Sequence, residues 1–294
     1  MSRGVASSRG AITILNAIPT GIGAALGITL QTDAKVEIKR GVPGIEVVLP
    51  EKGETDSMAK ECIREVFQCL RREQECVTVK TRSTIPISRG LKSSSAAANA
   101  IALAATRALD AHIDDTDLVK IGVEAARRAG VTVTGAFDDA MACYFGGIAV
   151  TNNSEMAVIK RTSLRQKNLR VILHIPDRKI RKEGLSSNTF KPFFKDFKEV
   201  EELVLEGEYL DALTRNGELV AKALGVENDV AKAAMKAGAI AAGVTGTGPA
   251  TAILCRDNSF YDLLDSIPHG SGILMTAHLN EIPAPEVKPW LLES

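Results

Sequence analysis

Gly90-Leu91-Lys92-Ser93-Ser94-Ser95-Ala96-Ala97-Ala98 is the stretch that decides how this chain is read. Gly90 frees the backbone ahead of an Ala-rich run that reads as a helix over residues 94–109. The first turn of a helix has N–H groups without partners, and its dipole favours an anion there. Three hydroxyls and the Lys92 ammonium crowd that same turn. Gly90, Leu91, Lys92, Ser93, Ser94, Ser95 and Ala96 therefore suit a phosphate chain, held by backbone donors, hydroxyls and one cation. Serine is also a good N-cap, so an ordinary capped helix would carry the same residues.

Two further stretches point the same way. Residues 238–250 hold four glycines, with Thr245 and Thr247 beside Gly246 and Gly248. Glycine there lets a backbone turn approach a ligand closely. The stretch is not a dinucleotide fingerprint, because it follows helical sequence and leads into a strand over 251–255. The third stretch, Thr134-Gly135-Ala136-Phe137-Asp138-Asp139-Ala140, opens a short helix that ends at Gly146-Gly147. Adjacent aspartates project in different directions, so one of Asp138 and Asp139 can cap the helix while the other orients a substrate hydroxyl.

The sequence excludes several chemistries. There is no Gly-Lys dipeptide, hence no Walker A loop, and no H-E-x-x-H or G-x-S-x-G motif. The basic and acidic residues, 36 of each, cancel, which gives no electrostatic case for nucleic acid. No apolar run is long enough for a membrane span. Five cysteines in 294 residues do not make a disulfide framework. Cys62, Cys69 and Cys76 recur every seven residues and would share a helix face as small buried side chains. These features predict a cytoplasmic protein without nucleic-acid or membrane partners.

The 45% hydrophobic content suits a sizeable core. The patterns predict strands at 11–16, 77–82, 148–151, 156–160, 169–175, 251–255 and 272–277. Residues 34–39 and 45–49 read as a hairpin, and the strand at 11–16 leads into a glycine-rich stretch at 21–27. Helices are expected at about 57–74, 94–109, 117–129, 135–145, 191–205, 209–224, 227–237 and 258–265. The interleaving has no regular βαβ rhythm, so the expected class is α+β in two lobes. The boundary is placed in the polar stretch 152–168, giving lobes 1–160 and 161–294. The tail from Pro283 should run extended over the surface.

In order and spacing, Pro86-x-x-x-Gly90-Leu-x-Ser-Ser-Ser-Ala, Asp138-Asp139 before Gly146-Gly147, and Gly-x-Thr-Gly-Thr-Gly-Pro-Ala resemble the GHMP kinase superfamily over nearly the whole chain. The forms Gly-Leu-Lys-Ser-Ser-Ser-Ala and Thr-Gly-Ala-Phe-Asp-Asp-Ala, with the stretch 175–180, look like its archaeal-type shikimate kinase branch. The resemblance implies a ribosomal S5-like N-terminal lobe, a ferredoxin-like C-terminal lobe, and ATP with Mg²⁺ between them. It implies transfer of phosphate to shikimate, giving shikimate 3-phosphate for aromatic amino-acid biosynthesis. Homoserine or mevalonate are alternative acceptors, and a non-catalytic ligand sensor is the reading from another class. Ser94 matches the metal-binding serine, and Glu124 falls near the metal carboxylate. Asp139 counts as the catalytic aspartate from Gly146-Gly147, and Asp138 from Gly135. Arg9 keeps the charge of the first motif, which here reads Ala6-Ser7-Ser8-Arg9. Lys92 stands where the resemblance has a small residue. Asn16, Thr245, Gly246, Thr247 and Gly248 fall to the substrate side. Shikimate carries a carboxylate that an Arg or Lys should clamp; Arg9, Arg178 and Arg181 are candidates.

Overall fold

The chain builds two antiparallel-rich sheets with helices against them, and the long strand β2 organises the first. The computed structural model describes residues 1–48, 56–132, 134–177, 187–268 and 272–290. β1 (Ser2–Leu15) pairs with β2 (Ile22–Lys39) along one edge. Along its other edge β2 pairs with β5 (Ile148–Asn152) near its start and with β4 (Cys76–Ser83) near its end. β3 (Gly44–Val48) and β6 (Ala157–Thr162) complete the sheet. The second sheet has the order β10-β7-β9-β8, from β7 (Leu169–Pro176), β8 (Ala241–Val244), β9 (Thr251–Arg256) and β10 (Gly272–His278).

One sequence expectation fails here. Residues 34–39 and 45–49 do not form a hairpin: β4 lies between β2 and β3 and pairs with β3 in parallel. Residue 49 of that expected strand lies outside the described residues. The glycine-rich stretch 21–27 opens β2, where neighbours crowd Gly23 and Gly27. A Cβ on Gly23 would stand 2.6 Å from Cγ of Asp138, and one on Gly27 3.1 Å from the Asn280 carbonyl oxygen. The stretch 238–250, between α7 (Asp229–Lys236) and β9, holds a strand of its own. Residues 241–244 form β8, so the glycine motif is the turn of a β8–β9 hairpin.

The core of the first lobe is α2 (Ser93–Ala108), whose alanines are almost all buried. Small side chains let its backbone lie close to β1: a Cβ on Gly4 would meet the Ala104 carbonyl oxygen at 2.0 Å. α1 (Ser57–Cys69), α3 (Asp115–Arg128) and α4 (Phe137–Phe145) pack around α2. α1 ends sooner than expected, and Cys76 begins β4. The three cysteines therefore do not share a helix face; Cys62 is buried and Cys69 exposed. In the second lobe, α5 (Phe194–Glu206) and α6 (Tyr209–Leu224) pack together, α6 lies on β8, and α7 (Asp229–Lys236) and α8 (Phe260–Ser266) close the other helical side.

The tail does not run free. Asn280 N–H donates to Gly27 O at 2.9 Å, and Gly147 N–H to Asn280 O at 2.7 Å. Ala284 and Val287 are buried, Arg107 donates to Pro285 O at 3.0 Å, and Gln31 Nε2 donates to Lys288 O at 3.0 Å. Residues that follow the second sheet thus complete the first lobe.

Candidate active site

α2 begins without a serine cap. Lys92 holds the N-cap position at φ 65°, makes no side-chain cap bond, and the serines form the first helical turn. The first ladder bond runs from Ala96 N–H to Lys92 O at 3.0 Å. The N–H groups of Ser93, Ser94 and Ser95 therefore have no helical acceptor. With their half-buried hydroxyls they form a concentrated set of donors, which is what an anion site requires.

The glycine turn of the second lobe meets this loop backbone to backbone. Gly90 has φ +86°, and a Cβ on it would lie 2.1 Å from the Thr245 carbonyl oxygen. Thr245 Oγ1 donates to Gly90 O at 3.1 Å and accepts from Thr13 N–H at 2.9 Å. Thr13 Oγ1 accepts from Gly246 N–H at 2.8 Å and from the Lys92 ammonium. Asn16 Nδ2 donates to Gly246 O at 3.1 Å, and its N–H donates to Asn216 Oδ1 at 2.9 Å. Gly248 N–H closes the turn onto Thr245 O at 2.9 Å, with Thr247 buried beside it. β1, the serine loop and the hairpin turn are thus tied at one point.

The two aspartates at the start of α4 diverge. Asp138 is buried against Gly23 of β2 and accepts from Asn153 Nδ2 at 2.8 Å. Burial pushes its carboxyl up to about 7, the Asp139 charge adds to the rise, and Lys92 and Asn153 oppose it. Asp139 faces the serine loop instead, with Oδ1 3.0 Å from Lys92 Nζ; both side chains are largely withdrawn from water. The structure therefore brings Asp139, the serine loop and the Thr245–Gly248 turn together through Lys92 and Thr13.

Other predicted residues stand apart. Arg9 donates to Thr29 O at 2.6 Å, and the charge that acts on it is Asp33. Glu124 faces Arg127 and Arg128, each at 3.7 Å. Arg178 and Arg181 lie outside the described residues. Sequence reasoning missed Thr13, Asn153 and Asn216. Thr13 left a signal, a hydroxyl inside the apolar run Ile12-Thr13-Ile14. Asn153 and Asn216 left none, because their partners are distant in sequence.

Among the described residues there is no group of three His, Cys, Asp or Glu side chains placed to hold a metal, and no helix is long and apolar enough to cross a membrane.

A helix N-terminus lined with hydroxyls, Asp139 beside it across Lys92 and a glycine turn against Gly90 make up the candidate site. The family described as GHMP kinases N terminal domain matches residues 57–147. Structures with the same fold include the mevalonate kinase of Methanococcus jannaschii (TM-score 0.74, 15% identity, covering 95% of this chain and 99% of that one). A homoserine kinase from Cytophaga hutchinsonii fits at TM-score 0.69 and 15% identity, covering 95% and 96%. The shikimate kinase of Methanothrix thermoacetophila is 41% identical over 266 residues, 90% of this chain and 89% of that one. That of Thermococcus kodakarensis is 40% identical over 247 residues, 83% and 89%. The chain belongs to the shikimate kinase family of the GHMP type.

Proposed function

We propose that this chain transfers the γ-phosphoryl group of ATP to a hydroxyl of shikimate, giving shikimate 3-phosphate. The observation that carries the reading is the meeting of three parts from distant sequence: the α2 N-terminus, Asp139 and the Thr245–Gly248 turn. Phosphoryl transfer asks a protein mainly to position groups and neutralise charge. The N–H groups and hydroxyls of Ser93, Ser94 and Ser95 receive the phosphates. Asp139 orients the acceptor hydroxyl and takes its proton as the oxygen attacks phosphorus. The Thr245–Gly248 turn and Asn16 cover the acceptor side.

Mg²⁺ fits the donor set. It prefers hard oxygen ligands, keeps much of its shell from phosphates and water, and needs few protein groups. The Ser94 hydroxyl at the helix start supplies such a ligand, whereas the Glu124 carboxylate already faces two arginines. Bound there, the ion would neutralise phosphate charge as the bond to the leaving ADP breaks. The free cysteines suit a reducing compartment, and the reaction is assigned to the cytoplasm.

The test is ADP release, coupled to a reporter, with shikimate, homoserine and mevalonate compared as acceptors. Activity confined to shikimate is the expected result. Activity confined to another acceptor replaces the substrate, and ligand-stabilised melting without ADP release from any acceptor makes the chain a sensor.

A further inference from the structure

Lys92 belongs to two half-sites at once. Its backbone is the N-cap of α2, inside the serine loop, while its ammonium lies 3.0 Å from Asp139 Oδ1 and donates to Thr13 Oγ1. The side chain is only 7% exposed. We propose that Lys92 is the catalytic cation of this site, its ammonium binding the transferring phosphoryl group while holding the Asp139 carboxylate in line with the acceptor. This rests on the kinase reading above.

Donor geometry supports it. A lysine ammonium has three N–H donors. Thr13 takes one, Asp139 holds the ammonium as an ion pair, and a donor remains for a phosphoryl oxygen arriving at the α2 N-terminus. The backbone supports it too. A non-glycine residue at φ 65° sits in the left-handed region, which costs about 1 kcal/mol or more. A glycine would take that conformation freely, so the strain accompanies a side chain with a use. The competing cations are engaged elsewhere. Arg9 bonds the Thr29 carbonyl, and Arg127 bonds the carbonyls of Thr134 and Asn153. Among the described residues, no other ion pair reaches Asp138 or Asp139.

In the step this serves, the acceptor oxygen forms a bond to the γ-phosphorus. The bond from that phosphorus to the bridging oxygen breaks, and its electron pair leaves with ADP. The acceptor proton passes to Asp139. The ammonium transfers nothing; it stabilises charge on the moving phosphoryl oxygens and fixes the carboxylate that receives the proton.

Lys92→Gly tests this without the backbone penalty, since glycine suits the left-handed position. The expected result is a kcat lower by a factor on the order of a hundred or more, with KM for ATP changed by less than about threefold and melting temperature close to wild type. Added ethylammonium should restore part of the lost kcat in Lys92→Gly and none in Asp139→Asn. An effect confined to KM for ATP would make Lys92 a nucleotide anchor and overturn the proposal. Absence of rescue by the amine would also overturn it, leaving Lys92 a structural tie. Neither result touches the kinase reading, which fails only if wild-type protein releases no ADP with any acceptor.

Discussion

Asn153 grips Asp138 from both sides: Nδ2 donates to the carboxylate at 2.8 Å, and Oδ1 accepts from the Asp138 N–H at 3.3 Å. The same Oδ1 accepts from Thr151 Oγ1 at 2.7 Å. This hold, with burial against Gly23, fixes Asp138 in place and leaves Asp139 as the aspartate that pairs with Lys92 of the serine loop.

Asp138 should make stability fall as pH rises. Its folded-state value is raised to about 7 by burial, above that of an exposed carboxyl. The protonated form therefore favours folding, and that advantage is lost as pH climbs toward the folded value. Asp138→Asn, a neutral side chain of the same shape, should raise the melting temperature relative to wild type at pH 8 and much less at pH 5. The difference should be on the order of a few kcal/mol. An equal offset at both pH values would show that Asp138 does not titrate between them.

Asp139→Asn should lower kcat by a factor on the order of a hundred or more, while ATP binding changes little. Steady-state kinetics beside nucleotide titration is the measurement. Were Asp139→Asn near wild type and Asp138→Asn dead, the roles of the pair would be reversed.

Ser94→Ala should weaken use of MgATP with melting close to wild type, since the serine forms the first turn and is not the cap, so no capping bond is lost. Titrating MgATP and comparing thermal melts separates the two effects. Unchanged ATP kinetics would remove Ser94 from the nucleotide site.

Gly90→Ala should cost about 2 kcal/mol or more and reduce activity over tenfold. The new methyl would meet the Thr245 carbonyl oxygen at 2.1 Å, from a backbone at φ +86° that alanine resists. Part of the harm is to the contact between serine loop and hairpin turn. Thr245→Ser, which keeps the hydroxyl, should be nearly silent by comparison. Wild-type melting and kinetics for Gly90→Ala would show that the loops need not touch.

The parts of the candidate site that the sequence announces are local ones. Gly90, the serines and the Asp138-Asp139 pair declare a helix start, hydroxyls and charge within a few residues. What escaped depends on partners far along the chain. Residues 22–27 carry no strand pattern, yet they open β2, and their glycines make room for Asp138 and Asn280. Residues 241–244 look like part of a glycine-rich connection, yet Gly243 is small because α6 approaches there, with the Gly217 Cα 3.0 Å from where its Cβ would stand. Sheet order escaped for the same reason. Nothing within residues 34–49 announces that β4 will insert between the two strands. Arg9 shows the converse: its charge matched a motif, but the motif's proline and glycine are missing, and its side chain reaches Thr29 instead.

The returning tail has a consequence for how the chain is assembled. Gly27 and Gly147 in the first lobe take backbone partners from Asn280, which the ribosome delivers only after the whole second sheet. The first lobe cannot reach its finished form while the second is still being synthesised. The lobes are thereby bound to mature as one unit, and a chain interrupted after His278 leaves the Gly27 carbonyl and the Gly147 amide to water or to another molecule's strand.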